Sequence, residues 1–176
     1  MYPEVAELAN LREIPDAVKW RKAAGCAARL PALYERAFRS VIGDRYDGLE
    51  QEVWMELSRI SAEIAHELTL PVRNAVELSE TMGIIMTVLF GPLYKSEVLK
   101  LDGDRAVTVV QACPFIEEGI ALGCTGDCLF HRCLALTLTS IPRLNKNYEA
   151  RYIRTMCTGD RQCEIKIEVR EAPEGA

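Results

Sequence analysis

Long apolar runs are missing from this chain. The longest, residues 82–90 (MGIIMTVLF), falls far short of the ~20 residues that cross a bilayer. The opening residues MYPEVAEL carry acids where a secretory leader would carry bases, so no membrane association and a cytoplasmic location are expected. Basic charge is scarce as well. The 21 Lys and Arg are outnumbered by 26 Asp and Glu, for a formal charge of -5, and the positive field that attracts a phosphate backbone is absent. Nucleic acid is therefore not an expected partner. Histidine occurs only twice. There is no Gly-rich phosphate loop, no serine nucleophile elbow and no HExxH helix, which removes support for nucleotide hydrolysis and for the familiar serine and zinc peptidase chemistries.

What is present is an ordinary globular composition, 49% apolar and 27% charged over 176 residues, the length of a single core. No repeat or linker divides it, so residues 1–176 are read as one domain with a helical part, 1–92, and a second part, 93–170. In the first third, Pro15, Gly25 and Pro31 break a helical pattern into short pieces, with a stop at Gly43. From Leu49 the apolar residues Val53, Leu57, Ile60, Ile64 and Leu68 follow at intervals of three and four, one buried stripe on a helix ended by Pro71. A further helix spans 73–90, before Gly91-Pro92.

The pattern then changes. Residues 94–101 and 105–112 are strand-like and joined by Asp102-Gly103-Asp104, a hairpin turn. A helix over 127–140, closed by Pro142, precedes strand-like runs at 148–156 and 162–169. In the last of these Cys163, Ile165, Ile167 and Val169 alternate with charged residues, as on a sheet with one buried and one wet face. The fold class is thus α+β, amino-terminal helices packed on a ββαββ antiparallel-sheet unit. The tail EAPEGA has the composition of a disordered end.

Cysteine is the one abundant reactive residue. There are seven, and six of them (Cys113, Cys124, Cys128, Cys133, Cys157 and Cys163) fall in the second half. Cytoplasmic thiols stay reduced, which directs attention to metal or thiol chemistry rather than to disulfides. At 100° per residue Cys124, Cys128 and His131 share one helix face and Cys133 points away, so Cys133 is expected to be a simple core residue. The path strand up, helix down, strand up returns the chain to the same sheet edge. Cys113, Cys124, Cys128, Cys157 and Cys163 are accordingly expected to share one neighbourhood there, with Cys26 and Cys133 outside it. Thiolates are soft ligands, and this set suits zinc or an iron–sulfur cluster, with a redox-active thiol set or inert core cysteines as the other readings.

The segment MCTGDRQCEIKIE resembles the Cys-x-Gly-Asp-x-x-Cys-strand ending of 4-vinyl reductase-like domains and of the related L-2-amino-thiazoline-4-carboxylic acid hydrolase-like proteins, and the likeness spans roughly residues 94–170. It implies a hairpin, a helix and a returning hairpin, and a role in sensing small molecules or redox state, or in hydrolysis. In sensor members cysteines near the last strands hold a metal, a role that the motif carries onto Cys157 and Cys163. Two departures are visible: Arg154 stands where those sensors often have an acid, and the gap between the cysteines is shorter.

Two functions follow as expectations. The first is a small-molecule- or redox-sensing domain with a cysteine-ligated zinc or iron–sulfur site. The second is a hydrolase of a small cyclic amidine or thiazoline, with Cys113 or Cys157 as nucleophile or a metal-held water, and His131 as base or ligand. A small-molecule partner is common to both, and a homodimer is open. Other polar groups read as structural: His66 as exposed, Glu117 and Glu118 as a solvated face, Asp160 and Gly159 as turn-formers. Trp54, Tyr94 and Phe115 are either core or pocket wall.

Overall fold

The computed structural model describes residues 13–171 apart from Thr125, and of residues 126–128 the backbone alone. The tail beyond residue 171 lies outside the described residues. Three helices come first: α1 (Asp16–Ile42), α2 (Arg45–Glu67) and α3 (Ala75–Phe90). The hairpin β1 (Lys95–Leu101) and β2 (Arg105–Ala112) follows, then α4 (Pro114–Ala121) and α5 (Gly126–Leu144), then the hairpin β3 (Tyr148–Arg154) and β4 (Cys163–Val169). The four strands form one antiparallel sheet in the order β1-β2-β4-β3. The α+β class and the order of helices before sheet agree with the sequence pattern.

Three local readings change. The stripe of α2 expected to be buried stands open at Leu49, Val53, Ile60 and Leu68, which are between 40% and 66% exposed, and α2 instead buries Tyr46, Glu50, Trp54, Ser58, Ser61 and Ala65. Helix α1 runs unbroken through Gly25 and Pro31, although Pro31 cannot donate to the carbonyl one turn back. Its small-residue stripe Ala24, Ala28 and Ala32 is buried and lets the helix lie close to its neighbours, as at Gly91, where an added Cβ would come within 3.1 Å of Ala24. The connection between β2 and β3 also holds two helices rather than one. Pro114 starts α4 in the first turn, where its missing N–H costs nothing.

Turn chemistry fixes the joints. Asn74 caps α3 by accepting from the Glu77 N–H at 2.9 Å. Asp104 of the β1–β2 turn accepts from the Ala75 N–H at 2.9 Å and from the Tyr148 hydroxyl, so one carboxylate joins the start of α3 to β3. In the second hairpin Gly159 takes φ 103 and the Asp160 carboxylate accepts from the Thr155 N–H at 2.9 Å, the turn-forming roles that the Thr-Gly-Asp sequence suggests.

The core lies between the sheet and α3 and α5, and continues under α1 and α2 through an aromatic trio. Phe115 meets Trp54 edge-on at 5.4 Å and Phe90 at 4.5 Å, contacts worth about 0.5–1.5 kcal/mol each beyond their area. Trp54 and Phe115 are therefore core. One charged side chain is fully buried here: Arg132 of α5 donates to Glu50 of α2 at 2.6 Å and to Glu35 of α1 at 2.5 Å. Tyr46 donates to the same Glu50 at 3.0 Å. Removal from water pushes the Glu50 carboxyl up, against the pull of Arg132.

A thiol-lined cavity as candidate functional site

Strand β2 is antiparallel to β4, and β4 to β3, so β2 and β3 run the same way and end at the same edge. That edge collects three cysteines. Cys113 follows β2, Cys157 sits in the 3-10 turn Met156–Thr158 that follows β3, and Cys163 opens β4 opposite Val110. The fourth thiol there is Cys133, projected from α5.

The face of α5 turned to the sheet is not the one that carries His131. Phe130, Cys133 and Thr137 look toward the sheet. His131 hydrogen-bonds through Nδ1 with Gln51 of α2 at 3.2 Å, and Cys124 places its sulfur 3.7 Å from the Ala32 carbonyl of α1. Cys124 thus sits on the helical side, away from the sheet edge, and Cys133 takes the place expected for it. The side chain of Cys128 lies outside the described residues. Cys26 is exposed on α1, apart from the group as anticipated.

Together these elements enclose a cavity of about 40 Å³. Met82 and Met86 of α3 and Val110, Ile165 and Ile167 of the sheet supply its apolar wall, and the four thiols form its floor and edge. Tyr94 also lines it, as does Tyr152, whose hydroxyl meets the Thr137 hydroxyl at 2.9 Å and whose ring packs edge-on against Phe130 at 5.3 Å. Burial pushes both phenols well above their ordinary range, so they are neutral hydrogen-bonding groups at any physiological pH. The volume exceeds the ~10–15 Å³ that one water needs, and most of the wall is carbon and sulfur.

The four thiols are electrostatically unequal. A hydrogen bond from Cys133 brings Cys113 down from 9.0 to about 7, against the opposing effect of burial and with help from the Ile116 and Phe115 N–H groups at the start of α4. The same contact, with burial, holds Cys133 well above its ordinary value. Burial pushes Cys157 up to about 12. It raises Cys163 too, although the Met156 N–H donates to that sulfur at 3.3 Å. Cys113 is the sulfur that ionises near neutrality, and the other three remain thiols.

The placement of these side chains corrects the metal expectation, because zinc and iron–sulfur sites need several sulfurs aimed at one point. Among the described residues no group of three or more His, Cys, Asp or Glu is placed to hold a metal ion. The described cysteines are all free thiols, so redox sensing through a disulfide loses its footing as well. Of the remaining polar candidates, Glu118 pairs with Arg29 at 3.3 Å, and Glu117 and His66 are exposed.

The buried triad of Arg132, Glu35 and Glu50 was not apparent from sequence. The only trace was an arginine inside an apolar helix matched by a glutamate on the alanine-rich side of α1. Among the described residues no helix is long and apolar enough to cross a membrane.

No family model matches the sequence, and no curated protein does. The fold is similar to a solved structure, that of trafficking protein particle complex subunit 3 from Naegleria fowleri, which is covalently bound to palmitic acid. That likeness has a TM-score of 0.50 and 15% identity, and it covers 88% of this chain and 96% of that one. At that identity the similarity establishes a shared architecture of helices on a four-stranded sheet.

Proposed function

We propose that this chain is a binding domain for a small apolar molecule and that the cavity beside Cys113 receives it. The observation that supports this reading is the cavity itself, an apolar space between sheet and helices with a single acidic thiol on its wall. Elsewhere the core is closed by interlocking aromatics, and an empty apolar space costs dispersion contacts. A guest of a few heavy atoms restores them. Pockets for drug-sized ligands measure ~300–1,000 Å³, so a longer guest requires Phe130 and the Met156–Thr158 turn to part.

The trafficking subunit of similar fold carries palmitic acid covalently, which makes an acyl group one apolar chemistry to include in a screen. The likeness of the Cys157–Cys163 motif to 4-vinyl reductase-like sensors favours binding over turnover. The hydrolase reading has less support, since His131 is engaged with Gln51 on the side of α5 away from Cys113.

Thermal unfolding of the whole chain against a panel of short alkyl, aryl and acyl compounds tests the proposal. A ligand that binds only the folded state raises Tm, the more so the higher its concentration relative to Kd. At least one compound should stabilise the wild type and lose its effect in Cys157→Leu, where the larger side chain fills the space from its edge. Stabilisation of neither protein, or equal stabilisation of both, would contradict the proposal.

A further inference from the structure

Helix α3 is apolar on two faces. Leu78, Met82 and Ile85 enter the core, while Ile84 and Val88 remain 42% and 39% exposed. These two residues continue a stripe that starts at Ser79 and Glu80, and opposite the stripe runs β1. Helix and strand bound a groove of about 860 Å³. Its floor is closed where Gly83 meets β1, since an added Cβ there would lie 3.1 Å from the Ser96 hydroxyl. Trp20 stands at the Val88 end and donates its indole N–H to the Val88 carbonyl at 3.0 Å.

The strand side of the groove is an edge. Residues 94–98 line it in succession, whereas a sheet face would offer every second residue. Strand β1 is outermost in the sheet and pairs with β2 alone, so the N–H and C=O groups of its far side have no strand to meet.

We infer that this groove takes an extended peptide of another protein as a fifth strand beside β1, apolar at alternate positions and carrying a basic residue. The edge supplies main-chain hydrogen bonds, and Trp20, Ile84 and Val88 receive the side chains that the guest turns toward α3. Ser79 gives a second mark of a missing partner. It is fully buried on the groove wall and its hydroxyl has no hydrogen-bond partner, a defect that a hydroxyl or amide side chain of the guest offsets. Charge selects the basic residue. Glu80 and Glu97 outnumber Lys95 on the walls, and none of the three is ion-paired among the described residues, so a lysine or arginine meets a carboxylate that no other group holds. A small apolar molecule would cover Ile84 and Val88 but leave the backbone of β1 unpaired.

Selection of a random octapeptide library on the full chain tests the inference. Enriched peptides should alternate apolar and polar residues and contain Lys or Arg. Methylating the amide nitrogens of one alternating set of residues should weaken binding by roughly tenfold or more, and methylating the other set should not, because only one set faces β1. Ile84→Arg should weaken binding to a similar degree and Glu80→Gln by several-fold. Both positions are exposed, and circular dichroism should show both variants folded. Bound peptide should slow amide exchange within residues 95–101. A library that yields no binder overturns the inference, as do peptides that tolerate both methylations, bind Ile84→Arg as tightly as the wild type, or protect residues 148–154 at the other edge of the sheet instead.

Discussion

Cys113 and Cys133 are joined by a side-chain hydrogen bond, which lowers the ionisation midpoint of Cys113 to about 7 and raises that of Cys133. Cys113 stands at the end of β2 and Cys133 within α5, so sheet and helix must both be in place for the pair to exist. Cys133→Ala should therefore raise the ionisation midpoint of Cys113 from about 7 toward its ordinary 9.0. Thiolate absorbance followed as a function of pH, with Cys26 replaced by serine to clear the background, measures the change.

The same pair makes stability depend on alkaline pH. In the folded chain Cys113 ionises near 7, and in the unfolded chain near 9.0. Between those values the unfolded state binds more protons, so stability rises with pH, and this contribution is lost as pH falls through 7. Above 9 the order reverses, because Cys133 and Cys163 are raised and Cys157 ionises only at about 12. The folded state then retains protons that the unfolded chain has released. Urea midpoints should increase from pH 7 toward 9 and fall beyond it, and Cys113→Ala should flatten the rising limb.

Arg132 is 1% exposed and holds Glu35 and Glu50 together. Arg132→Met leaves two buried carboxylates without their cation and should cost about 3–5 kcal/mol. Adding Glu35→Gln and Glu50→Gln removes the uncompensated charge and should recover much of that loss. Equilibrium urea unfolding of the single and triple variants checks the pair of outcomes.

Gly119 marks the closest approach of α4 to α5. A Cβ there would lie 2.8 Å from both methyl groups of Leu129, itself 1% exposed. Gly119→Ala should lower stability by about 1–3 kcal/mol through overpacking, in spite of the ~1 kcal/mol that alanine contributes to a helix interior. A lowered midpoint with unchanged slope in urea is the expected result.

The residues explain which parts of this architecture could be read in advance. Asp102-Gly103-Asp104 is legible as a hairpin because a turn with φ 70 at its centre favours glycine. The alternation from Cys163 to Ile167 likewise assigns the inner face of β4. Chain direction alone brings Cys113, Cys157 and Cys163 to one edge. The orientation of α5 is different. Periodicity sets Phe130, Cys133 and Thr137 apart from His131, but both faces of α5 are covered, one by the sheet and the other by α1 and α2. Nothing in the helix itself says which cover is which. The thiolate metal site expected at Cys113, Cys124, Cys128, Cys157 and Cys163 rested on that choice. Burial of Arg132 was equally hidden, since its two partners come from helices about 80 to 100 residues earlier.

The most direct test of the binding cavity is the alkylation rate of Cys113, followed by peptide mass spectrometry with iodoacetamide. The compound that raises Tm is added in one series and omitted in the other. Exposed Cys26 serves as the internal control. Without the compound, Cys113 should react with a midpoint near pH 7. With it, the rate at Cys113 should fall several-fold while Cys26 is unaffected. Equal rates at Cys113 in both series, under conditions where the compound still stabilises the fold, would place the ligand elsewhere and contradict the account.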